Sequence, residues 1–144
     1  MEVATKTRVL VVDDSTFMRS VLTRLINAHA QLEVVDTAEN GRQALEKVKL
    51  LKPDVITLDV EMPEMNGIEA LKLIMRECPT PVVMISTLTE AGAKETLEAL
   101  SLGAVDFMPK AIDDASRNIV NQAKMIGDKL LAASQARVGQ ATPR

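Results

Sequence analysis

Two adjacent carboxylates, Asp13-Asp14, close the apolar run Val9-Leu10-Val11-Val12, and a third, Asp59, closes Val55-Ile56-Thr57-Leu58. Hydroxyls at Ser86-Thr87 end the run PVVMI, and Lys110 follows AVDFMP. Carboxylates brought within a few ångströms repel one another and resist joint ionisation. A hard divalent cation removes that cost. An oxygen-only donor set with room for water and phosphate oxygens points to Mg²⁺ rather than zinc. A carboxylate beside Mg²⁺, a hydroxyl and a lysine is also equipped for phosphoryl transfer. Asp59 would attack phosphorus as the nucleophile and form an aspartyl phosphate. Lys110 and the metal would neutralise charge on the transferring oxygens, and Ser86 would donate to one of them. An acyl phosphate is labile, which suits a reversible signal.

Such a site requires strands whose ends converge. RVLVVDD, LEVVDTA, DVITLD, PVVMIS and AVDFM read as five strands, and helical patterns separate them. Phe17, Val21, Leu22, Leu25 and Ile26 recur at helical spacing between Thr16 and His29, with Ser15 or Thr16 as the cap. A second helix opens at Asn40-Gly41 and stops before Pro53, and a third spans Ile68 to Met75. A fourth runs from Ala91 to Leu102 and ends at Gly103, and a fifth carries Ile112, Ala115, Ile119, Ala123, Ile126 and Leu130. Strands alternating with helices predict an α/β fold: a five-stranded parallel sheet, doubly wound, flavodoxin-like (βα)5, with strand order 2-1-3-4-5. In that order the first and third strands are neighbours at the switch point, so Asp13, Asp14 and Asp59 converge. The expected domain spans 1–133, and residues 134–144 read as a polar, linker-like tail.

Composition narrows the function. Hydrophobic residues make up 47% of the 144-residue chain, enough for one real core. A net charge of −3 gives no reason to expect nucleic acid, which would favour a basic face. No apolar run approaches the roughly 18 residues of a membrane span, and MEVATKTR lacks a signal-peptide core. Cys78, the single cysteine, suits a reducing cytoplasm. His29 is the only histidine, which sets aside zinc and Cys-His chemistry. Each candidate residue also has an ordinary explanation alone. Asp13-Asp14 can open a helix, Asp59 can be a loop acid, and Lys110 can be a solvated lysine. Their joint placement at strand ends, with MPEMNG behind Asp59, argues for a site.

The motifs TLDVEMPEMNGIEALKLIM and VVMISTLTEAGAKETLEALSLGAVDFMPK resemble the receiver domains of two-component response regulators, from Arg8 to about Leu131. Among these they are most similar to the N-terminal regulatory domain of the chemotaxis protein-glutamate methylesterases. The resemblance implies that Asp13 and Asp14 are the metal-binding acidic pair and that Asp59 is the phosphoacceptor. It also implies a metal contact from the Glu61 carbonyl, Lys110 and Ser86 beside the phosphoryl group, Thr87 at its access route, and Phe107 as the aromatic switch. One departure stands out. Receivers usually follow this lysine with a proline, whereas here Lys110-Ala111 is preceded by Pro109. A trans bond before Ala111 is the expectation.

The resemblance further implies a chemotaxis-type histidine kinase as phosphodonor, a methylesterase effector domain, and chemoreceptors reached through the longer parent protein. The effector domain is expected to be absent from this chain. Without a Ser-His-Asp set, the chain itself is expected to show only phosphoryl acceptance and its own dephosphorylation. The expected output surface is the fourth helix, fifth strand and fifth helix, around Ala91 to Ile126. Alternatives are a stand-alone response regulator, a haloacid-dehalogenase-like Mg²⁺ phosphatase and a flavin carrier. The phosphatase calls for a D-x-D pair, where Glu61 stands two residues after Asp59, and for a cap domain. The flavin carrier calls for a Ser/Thr/Gly-rich loop where this chain has acids.

Overall fold

A computed structural model describes residues 5–62, 65–86, 90–109 and 119–136, with side chains from Gln122 onward in the last segment. Five strands, β1 (Thr7–Val12), β2 (Leu32–Ala38), β3 (Val55–Asp59), β4 (Val82–Ser86) and β5 (Asp106–Pro109), alternate with five helices. The helices are α1 (Thr16–Asn27), α2 (Gly41–Leu51), α3 (Gly67–Glu77), α4 (Glu90–Ser101) and α5 (Ile119–Ser134). All strand pairs are parallel, in the order β2-β1-β3-β4-β5. This is the doubly wound flavodoxin-like arrangement.

Alternation along each strand divides the core between the two faces of the sheet. Leu10, Val12, Ile56, Leu58, Val82 and Met84 pack with Ala44 and Val48 of α2, Leu71 and Ile74 of α3, and Ala99 of α4. Val9, Val11, Val55, Val83 and Ile85 pack instead with Leu22, Leu25 and Ile26 of α1 and with Ile126 and Leu130 of α5. Burial on both sides explains why the strands read as unbroken apolar runs.

Local chemistry sets the helix ends. Ser15 caps α1 by accepting from the Met18 N–H at 3.2 Å, and Asn40 caps α2 by accepting from Gln43 at 2.9 Å. Asn66 and Glu69 form a reciprocal capping box on α3, which therefore starts at Gly67, one residue before its first apolar position. The α2 helix closes with Lys52 in the left-handed region at φ 49°, just ahead of Pro53. Gly103, at φ 121°, turns the chain out of α4, and the Ala104 N–H returns to the Ala99 carbonyl at 3.0 Å.

The fifth strand falls at Asp106–Pro109 rather than Ala104–Met108. Ala104 is spent closing the α4 turn, the Val105 N–H bonds the Val82 carbonyl at 2.8 Å, and the strand register with β4 starts at Val83–Asp106. The α5 helix runs through Ser134, one residue past the expected domain boundary. Its expected beginning at Ile112 lies outside the described residues.

Candidate functional site

The carboxyl ends of β1 and β3 lie side by side, with Val12 aligned to Leu58. The next residue on each strand is an aspartate. Carboxylate oxygens of Asp13, Asp14 and Asp59 lie within 4.8 Å of one another, as the strand order requires. Asp13 and Asp59 are buried and Asp14 is exposed, so the cluster opens to solvent on one side.

Backbone donors hold two of the carboxylates. Asp13 Oδ1 accepts from the Ser15 N–H at 2.9 Å, and Asp59 Oδ1 accepts from the Glu61 N–H at 3.2 Å. Arg19 reaches back from α1, but its Nη1 donates to the Asp13 main-chain carbonyl at 2.7 Å. The guanidinium thus fixes the backbone at the end of β1. Three hard oxygen donors of like charge, two of them buried, are a donor set that fits a small divalent cation such as Mg²⁺. Zinc would call for nitrogen or sulfur ligands.

Ser86 closes β4 and is buried, and its Oγ lies 2.8 Å from Oγ1 of Thr96 in α4. Phe107 lies on β5 opposite Met84 and is 45% exposed. Its ring lies outside both core clusters. Lys129 of α5 stands over its ring at 5.9 Å and bonds Asp106 at 3.3 Å. Glu61 directly follows Val60 beyond the end of β3 and is exposed. Lys110, Ala111, Thr87 and Pro63 lie outside the described residues.

Three contributors were not singled out as site residues in the sequence. Thr96 looks like any β-branched residue in a helix, and Arg19 like any surface arginine. Gly67 sits at the end of the turn-rich MPEMNG stretch, and its N–H bonds the Val60 carbonyl at 2.9 Å, directly behind Asp59. The NG pair in MPEMNG was the available signal for a close approach.

Comparison with known proteins agrees with this architecture. A family model described as "Response regulator receiver domain" matches residues 9–122. The chain belongs to that family. It is 57% identical over 111 residues to the protein-glutamate methylesterase/protein-glutamine glutaminase of Aliivibrio fischeri, covering 77% of this chain and 30% of that protein. It is 52% identical over 136 residues to the counterpart in Geobacillus kaustophilus, covering 94% of this chain and 39% of that one. The chain thus spans well under half the length of these curated relatives. The response regulator domain of Thermotoga maritima CheB superposes with a TM-score of 0.81 at 50% identity, covering 92% of this chain and 98% of that one. This is a receiver domain of the CheB type. Among the described residues, no helix is long and apolar enough to cross a membrane. Family membership leaves the phosphatase and flavin-carrier alternatives without support.

Proposed function

We propose that the chain is a Mg²⁺-dependent phosphoacceptor switch in which Asp59 receives a phosphoryl group from a histidine kinase. The observation that carries this reading is the convergence of Asp13, Asp14 and Asp59 at the carboxyl edge of neighbouring parallel strands. A carboxylate oxygen of Asp59 forms the new O–P bond while the bond from phosphorus to the donor breaks, and the donor leaves with that electron pair. Asp13, Asp14 and the Glu61 carbonyl would hold the cation with Asp59. When bound, Mg²⁺ supplies positive charge to the transferring oxygens. Asp59 is oriented by the Glu61 N–H, and its buried position limits the approach of water. Lys110 and Ser86 serve as donors to the phosphoryl oxygens, Thr87 borders the access route, and Phe107 reports the change at the surface.

The output is regulation of a methylesterase domain that follows the receiver in a longer cytoplasmic protein acting on chemoreceptors, with residues 135–144 as linker. Similarity to the methylesterases supports this, as do three large apolar side chains exposed on successive elements. These are Leu97 on α4, Phe107 on β5 and Met125 on α5. The test is incubation with acetyl phosphate and Mg²⁺ followed by intact mass, with Asp59→Asn and a chelator control. A single phosphoryl increment that needs metal and disappears in the variant supports the proposal. Folded protein that takes up no phosphoryl group from either acetyl phosphate or a phosphorylated kinase overturns it.

A further inference from the structure

Pleat alternation gives Ser86 an orientation that its place at a strand end conceals. Asp59 is aligned with Ile85, whose side chain packs in the core beneath α1 and α5. Ser86 is the next residue, so its side chain falls on the opposite face, under α4. There it meets Thr96, and each of the two residues is only 5% exposed. The Thr96 hydroxyl is also 2.8 Å from the Gly92 carbonyl, one turn earlier in α4. A carbonyl can only accept, and a hydroxyl has one proton to give. With the Thr96 proton on Gly92, the Ser86 proton fills the 2.8 Å contact between the two hydroxyls. The hydroxyl needed at the phosphoryl group is committed to α4.

We infer that Thr96 is a positioning residue that holds the Ser86 hydroxyl away from the phosphoacceptor site, so that phosphorylation of Asp59 must break the Ser86–Thr96 bond and release the end of β4 from α4. This rests on the phosphoacceptor reading above. Thr96 acts through Ser86, by the competition for one proton. Removing it frees Ser86 in the unphosphorylated protein and shifts the balance toward the phosphorylated form. A hydrogen bond between neutral groups sets the scale, about two- to tenfold in the phosphorylated-to-unphosphorylated ratio.

The experiment measures that ratio by intact mass at steady state with acetyl phosphate and Mg²⁺. Wild type, Thr96→Val, Thr96→Ala, Thr96→Ser, Ser86→Ala and the double variant Ser86→Ala/Thr96→Val are compared, each checked for folding by circular dichroism. Thr96→Val is expected to raise the ratio about two- to tenfold, with Thr96→Ala acting in the same direction. Thr96→Ser keeps the hydroxyl and should match wild type. In the Ser86→Ala background the valine should have no effect, because no proton remains to compete for. An undiminished effect in that background would show that Thr96 acts through packing and overturns the inference. An unchanged ratio in both Thr96→Val and Thr96→Ala overturns it equally. Absence of phosphorylation in the wild type is a separate failure, that of the phosphoacceptor reading itself.

Discussion

A β-carbon on Gly67 would collide with the main-chain carbonyl oxygen of Asp59, and would lie only 2.8 Å from Val60 Cα. The start of α3 is therefore built directly against the backbone that carries the candidate nucleophile. The obstacle is backbone, so it cannot swing aside as a side chain would. Gly67→Ala should push β3 and α3 apart, costing about 1–3 kcal/mol as an overpacked contact. The same shift moves Asp59 relative to Asp13 and Asp14. Chemical denaturation should show the loss of stability, and acetyl phosphate labelling should slow by more than that loss explains. Unchanged labelling would show that the approach of α3 does not set the geometry of Asp59.

The proposed metal site predicts that stability depends on Mg²⁺. A ligand that binds only the folded state stabilises by about 2.7 kcal/mol at one hundred times its dissociation constant. The wild-type melting temperature should rise with Mg²⁺ and fall with chelator. Asp13→Asn keeps an Oδ1 acceptor for the Ser15 N–H while removing one charge. In chelator it should therefore melt no lower than wild type, and it should not respond to Mg²⁺. Melting followed by circular dichroism, with Mg²⁺ titrated, reads both effects.

On the other side of the sheet, Gly127 of α5 packs closely against the His29 ring, just beyond α1. A β-carbon there would collide with the imidazole Cδ2 and sit 2.8 Å from Cγ. Gly to alanine in a helix normally gains up to about 1 kcal/mol. Here Gly127→Ala should instead destabilise, by roughly 1–3 kcal/mol of overpacking. Adding His29→Ala should return part of that loss, since contacting residues are not additive. Urea midpoints for the two single variants and the double variant decide it.

Lys49 of α2 and Glu77 of α3 meet at 2.5 Å on the surface. The hydrogen bond from Lys49, and then its charge, hold the Glu77 carboxyl below its usual value. A depressed folded-state value means the pair stabilises the protein above the unfolded carboxylate value. That contribution is lost as pH falls through the folded one. Lys49→Met should thus lower the melting temperature slightly near neutral pH, and the gap should close in acid. It should also shrink in high salt, because the pair is exposed. A gap independent of pH would assign the effect to packing of the lysine stem.

Much of the fold is legible along the chain because its causes are local. The alternation Val9-Leu10-Val11-Val12 assigns successive side chains to opposite faces, and the structure puts them in the two separate core clusters. Ser15 and Asn40 mark helix starts by residue type alone. Aspartates at the ends of β1 and β3 announce their convergence once those strands are taken as neighbours.

Other features depend on how elements dock, and no local pattern encodes that. The sequence by itself determined the order of the elements, their buried faces and the acids at the strand ends, since each follows from backbone periodicity and side-chain chemistry within a few residues. Tertiary structure alone decided that Phe107 is half exposed under Lys129 and that the Ser86 and Thr96 hydroxyls meet at 2.8 Å. It alone decided that Gly67 touches Asp59 and Gly127 touches His29. Each of these is set by the separation and rotation of two packed elements, where a shift of about one ångström makes or breaks a hydrogen bond.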